Sequence, residues 1–195
     1  MNSILRKSIL GIAGLTVAGG LAAGPLNHDT GTPAVRDAAV TTTQAAKLDS
    51  NTLIPHGVQG AQSHIDLNDE QTANVKAIIA ATKKAGMDER ASVVSIATAL
   101  QESKLENLGH LGDRNDHDSQ GLFQQRPSSG WGTVEQITDP EYSTTAFLKG
   151  LKQVDGWQDM PLTVAAQTVQ VSAYPDHYAQ WEQQAADLVA EHWNS

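Results

Sequence analysis

The sequence predicts an all-α domain, and three observations carry that prediction. Apolar residues recur at helical spacing in five separate stretches. Each stretch opens at an Asp, Asn or Pro suited to start a helix. Nowhere does the chain alternate apolar and polar residues as a half-buried strand would.

The first helix is expected over Asp69 to Ala85, capped by Asn68 or Asp66, with Val75, Ile78, Ile79 and Thr82 on one face and Gly86 as its stop. The second spans Asp88 to about Ser103. From Ala91 to Gln101 it holds no charged residue, glycine or proline, and Val93, Ile96, Ala97 and Leu100 follow the i, i+3, i+4, i+7 pattern. Its other side carries only Ala91, Ser95 and Thr98, and a helix that is small or apolar all round is a buried one. The third helix starts at Asp139-Pro140 and buries Phe147, Leu151 and Val154. A fourth starts at Asp159 or Met160 with Pro161 and packs Val164, Ala165 and Val169. The last begins near Pro175-Asp176 and sets Tyr178, Trp181, Ala185, Leu188 and His192 on one stripe. Between the second and third helices lie about 35 mostly irregular residues, and loops of that length tend to be functional.

At 195 residues the chain has room for one domain and additional segments. Arg6 and Lys7 precede an uncharged, glycine-rich run that ends in Ala22-Ala23-Gly24, the pattern of a cleaved secretory leader over residues 1–24. Residues 25–64 hold Pro25, Pro33, Pro55 and Thr41-Thr42-Thr43 with poor periodicity, and read as a disordered linker. The folded domain is then expected over 65–195. There is no cysteine, hence no disulfide and no lipid attachment through a thiol. Removal of the leader takes two of the 13 basic residues and none of the 22 acidic ones, so 22 acidic face 11 basic and the charge is −11. That balance argues against nucleic acid and anionic lipid as partners. The expectation is a secreted or wall-associated monomer with no stable membrane association.

Glu102 is the most informative residue, because it ends the uncharged second helix. A carboxyl emerging from a buried helix end is partly out of water, which raises its pKa and suits it to general acid catalysis. The plainer reading is a glutamate at an exposed helix end. Other chemistries fail on inventory: there is no thiol nucleophile, no His-Glu-x-x-His and no Gly-x-Ser-x-Gly. The loop from Gly109 to Gln120 leaves three readings open. It is a polar loop bonded to its own backbone, or a calcium or zinc loop whose twelfth position is the unsuitable Pro127, or the source of a second carboxylate from Asp116 or Asp118.

Glu102-Ser103, followed by Gly121-Leu122-Phe123-Gln124, resembles the lysozyme-like soluble lytic transglycosylases. In that family Glu-Ser ends a central helix and a Gly-Leu-Met-Gln segment lines the sugar cleft opposite it. Asp139-Pro140-Glu141 looks like the family's third block, and Ala165-Ala166 through Tyr178 like a worn fourth. Asp116-His117-Asp118-Ser119 with Gln125-Arg126-Pro127-Ser128 is also similar to a group of small secreted actinobacterial proteins of this fold. The likeness covers roughly residues 69 to 190. It departs at Phe123, where Met is usual, and at Val169-Gln170-Val171-Ser172, where a Tyr-Asn pair is missing.

The resemblance implies a lysozyme-like (goose-type lysozyme or lytic transglycosylase) helical domain. It implies a peptidoglycan glycosidase acting on the β-1,4 bond between N-acetylmuramic acid and N-acetylglucosamine. Glu102 would protonate the leaving oxygen and later act as base, and Ser103 would orient it. Gly121, Leu122, Phe123, Gln124 and Gln125 would hold the glycan, with the side chain of Gln124 bonding a sugar. The muramic acid N-acetyl group would assist and its own 6-hydroxyl attack, so no metal or organic cofactor is implied. Trp131 and Tyr174 are candidates for stacking on sugar, Trp131 equally a lid on the core, while Tyr178, Trp181 and Trp193 read as packing. The alternative is a non-catalytic wall-binding module on the same scaffold.

Overall fold

The computed structural model describes residues 48–112 and 117–195. Among these residues lie six α-helices and no strand: α1 Asp69–Lys84, α2 Glu89–Ser103, α3 Val134–Ile137, α4 Pro140–Leu151, α5 Leu162–Gln170 and α6 Glu182–His192. The domain is therefore all-α. The expected leader over 1–24 and the linker up to residue 47 lie outside the described residues.

The capping signals act as the sequence suggests. Asn68 and Gln71 form a reciprocal capping box at the start of α1, Asp88 accepts from the Ala91 amide to start α2, and Asp139 does the same for α4 through Tyr142. Helix α2 is the centre of the domain: α1, α4, α5, α6 and the 3-10 turn His177–Trp181 all pack on it. Every residue from Arg90 to Leu100 is buried. Two of its polar members, Ser95 and Thr98, are satisfied locally, their hydroxyls folding back on the Ala91 and Val94 carbonyls at 2.8 and 2.7 Å.

Two local expectations shift, and one short helix was not foreseen. Val164, expected to pack, is exposed, because the stripe of α5 that turns inward is Leu162, Ala165, Ala166 and Val169. The last helix does not run on from Pro175. A 3-10 turn over His177–Trp181 comes first, burying Tyr178 and Trp181 three residues apart, and α6 then buries Ala185 and Val189. Leu188 and His192 are only half-buried in consequence. The short α3, with its Thr133–Gln136 capping box, is too brief to show periodicity.

The largest correction concerns residues 48–64, expected to belong to the linker. They lie on the domain. A 3-10 turn over Ser50–Leu53 delivers Leu53 and Ile54 into the core. The Leu53 carbonyl accepts from Arg90 Nη1 at 2.9 Å, and the same nitrogen donates to Glu182 Oε1 at 2.7 Å. Both members of that ion pair are buried, so the Leu53 carbonyl helps satisfy a charge that would otherwise be costly in the interior. Farther along, the Ser63 amide donates to the Gln180 carbonyl at 2.7 Å. The folded unit thus begins ahead of Ile65. Among the described residues no helix is long and apolar enough to cross a membrane.

Candidate active site

Glu102 is in the last turn of α2, and the way that helix stops sets its position. No glycine follows. Lys104 and Leu105 both take positive φ, 57° and 63°, and their amides turn back to the Leu100 and Ala99 carbonyls. The left-handed turn costs each residue about 1–2 kcal/mol. It is held by complete burial of Leu105, and by Gln71 and Asn74 of α1 donating to the carbonyls of Lys104 and Leu105. The Lys104 ammonium caps the helix end through the Leu100 carbonyl at 3.0 Å and lies 4.8 Å from the centre of the Trp181 ring. Burial pulls its pKa down, and the charge of Glu102 pulls it the other way.

Beside this helix end lies the tight loop Gly121–Gln124, closed by an antiparallel bridge in which Gln120 and Gln125 exchange two 3.0 Å hydrogen bonds. Gly121 has φ 76°, and a Cβ there would fall 2.0 Å from the Ile137 carbonyl oxygen, so only glycine fits. Ser103 Oγ donates to the Leu122 carbonyl at 2.8 Å, which ties the loop to α2. The Ala99 carbonyl, 3.1 Å from the same oxygen, is the alternative acceptor for that one proton. The role the Leu122 bond gives Ser103 is to join the two elements that flank Glu102.

Glu102 lies in a cleft of about 710 Å³, with Gln101, Gln124, Trp131, Gln170 and Tyr174 among its lining residues. Two donors converge on one carboxyl oxygen. Tyr178 Oη donates to Glu102 Oε1 at 2.6 Å, and Gln170 Nε2 reaches the same atom at 3.3 Å while donating to the Phe123 carbonyl at 2.9 Å. Burial, and then the charge of Glu102, push the Tyr178 phenol well above its ordinary pKa, so it remains a donor. Chemically, the arrangement is a carboxyl at a cleft wall with one of its oxygens held by two donors.

The cleft brings together four of the residues expected there: Glu102, Gln124, Trp131 and Tyr174. Tyr174 is well exposed at 63% and stacks on His177 with ring centres 4.9 Å apart. Others lie elsewhere. Leu122 and Phe123, expected to touch glycan, are buried in the core, Phe123 stacked on Phe147 at 5.1 Å. A four-residue loop this tight turns its two apolar side chains inward to pack. Gln125 is buried too, donating to the Ser143 carbonyl at 3.1 Å. Gly121 contributes backbone shape rather than a contact surface.

Asp118, a candidate second carboxylate, is committed to its own loop. It accepts from Arg126 Nε at 2.7 Å, from the Ser128 amide at 2.8 Å and from the Ser128 hydroxyl at 2.9 Å. The Arg126 bond first, and the Ser128 amide next, hold its pKa well below the usual carboxylate range. A carboxylate so stabilised is a weak base. Asp113 and Asp116 lie outside the described residues, and among the described residues no three His, Cys, Asp or Glu converge on a point that would hold a metal ion.

Sequence reasoning missed Gln170, Tyr178 and Arg126 as site residues. The usable signal for Tyr178 was its hydroxyl, since a buried phenol has to find a partner. A second hollow of about 670 Å³ is walled by Gly60, Pro161, Asp176, His177 and Gln180, and Glu102 is not among its lining residues. Set against protein-family models and curated proteins, the chain matches none.

Proposed function

We propose that the protein is a secreted glycosidase of wall peptidoglycan, with Glu102 as its general acid. The carrying observation is Glu102 at a cleft wall with Tyr178 and Gln170 both donating to Oε1. The Glu102 proton goes to the bridging oxygen between muramic acid and N-acetylglucosamine, and the bond from that oxygen to the muramic C1 breaks. The neighbouring N-acetyl oxygen covers the positive charge that develops at C1. Glu102, now ionised, takes the proton of the sugar's own 6-hydroxyl as that oxygen closes on C1, and the acid is restored. General acid–base assistance of this kind is worth about 10²–10⁴-fold.

Transglycosylation is proposed from the resemblance carried by Glu102-Ser103 and Gly121-Leu122-Phe123-Gln124, and Asp118 is unsuited to the inverting alternative. An inverting enzyme needs a second carboxylate that activates water across the cleft. The clamp on Asp118 makes it a poor base. Mass spectrometry of digested walls separates the two chemistries. Anhydro-muramic ends, lighter by one water, are the expected products, and reducing ends would replace this mechanism with hydrolysis. The leader expected over residues 1–24 would carry the enzyme to this substrate.

A further inference from the structure

Among the described residues that line the cleft, Arg126 is the one cation and Glu102 the one anion. Its guanidinium is fixed rather than loose. Nε donates to Asp118 Oδ1 at 2.7 Å, and Asp118 is itself anchored by the amide and hydroxyl of Ser128. That clamp uses one edge of the group. The terminal nitrogens Nη1 and Nη2 make no hydrogen bond to the described residues, and the side chain is 37% exposed. Trp131 and Ser129 line the same cleft within five positions of it. The chain as a whole is acidic, at −9, so an anion cannot be held by the protein's general field. A guanidinium fixed through Nε, with its two terminal nitrogens unbonded to the described residues, can bind a carboxylate by two parallel bonds.

We propose that Arg126 is a carboxylate-recognition point of the cleft, selecting glycan whose sugars carry an acidic substituent over neutral N-acetylglucosamine polymer. This rests on the wall-glycan reading and adds a specificity determinant to it. The shared ligand chemistry is a carboxylate hung from muramic acid, either the lactyl group itself or an acidic residue of the attached peptide. Arg126 then acts in binding and register and takes no part in proton transfer. Asp118 is its positioning residue.

The test is binding to the Glu102→Gln protein, so that glycan is not consumed, by titration calorimetry with three soluble probes. These are chitin oligomers, peptide-free muramic glycan oligomers, and the same oligomers with stem peptide. One or both acidic probes should bind about tenfold more tightly than chitin, and adding Arg126→Gln should erase that margin. The acidic probe that carries the margin identifies the source of the carboxylate. Arg126→Lys should restore only part of it. Should either variant fold poorly, amidating the probe's carboxyl groups asks the same question of the unaltered arginine and should remove the margin. A margin that survives Arg126→Gln or amidation, or no margin at all, overturns the inference and leaves the glycosidase reading standing. Failure of all three probes to bind overturns both.

Discussion

Tyr178 Oη lies 2.6 Å from Glu102 Oε1, and this bond joins the end of the central helix to the 3-10 turn that follows Pro175. The tyrosine is a core residue by burial and a site residue by its hydroxyl. Its ring is fixed by packing, so the donor is aimed before any ligand arrives. Such preorganisation is what makes a polar group effective in a cleft.

Tyr178→Phe should leave the fold in place and lower wall-degrading activity. The ring stays and one charge-assisted hydrogen bond is lost, worth about 1.5–3 kcal/mol, or roughly 10- to 100-fold in rate if it matters fully in the transition state. Initial rates of wall solubilisation, together with a melting curve, check this. A variant as fast as the parent shows that the bond does not orient the acid.

A chain beginning at Leu48 should melt cooperatively, whereas one beginning at Ile65 should be much less stable. The longer deletion removes Leu53 and Ile54 from the core, each worth about 1.5–3 kcal/mol, and takes away the Leu53 carbonyl that accepts from buried Arg90. Urea midpoints of the two proteins decide the matter. Equal midpoints would show that residues 48–64 pack without contributing stability.

Gly121→Ala should destabilise the domain by about 3 kcal/mol or more. The added Cβ meets the Ile137 carbonyl oxygen at 2.0 Å, and neither backbone can retreat cheaply. A urea midpoint unchanged from the parent protein contradicts the close approach described here.

Much of this arrangement was legible in the sequence wherever a helix had length and a cap. Asn68, Asp88 and Asp139 mark real starts, and the uncharged run from Ala91 to Gln101 is the buried centre. The partly buried setting of Glu102 at the helix end followed from that run. What escaped was set by contacts distant in sequence. Residues 48–64 supply only two buried apolar side chains, too few for any period, and their acceptor for Arg90 is a backbone carbonyl. Leu122 and Phe123 were expected in the cleft from their likeness to the Gly-Leu-Met-Gln segment, yet a closed four-residue loop sends them inward. Gln170 is where the familiar Tyr-Asn pair is missing, and only the fold shows that its amide reaches Glu102.

Asp118→Asn should loosen the Arg126–Ser128 loop at neutral pH but make little difference in acid. The folded pKa of Asp118 is depressed, so its stabilising effect is complete above the ordinary aspartate value of about 3.9. It is lost as pH falls below that value towards the folded one. Melting temperatures of parent and variant should therefore differ at pH 7 and converge as the pH drops below about 4. A gap that widens in acid would contradict the clamp.

Glu102→Gln tests the central claim most directly. The amide keeps the shape of the carboxyl and can still accept from Tyr178, but it has no proton to give. Purified wall peptidoglycan is incubated with the parent and the variant at equal concentration, and soluble glycan is measured over time. The account predicts release by the parent and a fall of about 10²–10⁴-fold in the variant, with the melting temperature little changed. Release at the parent rate by a folded variant would show that Glu102 is not the acid.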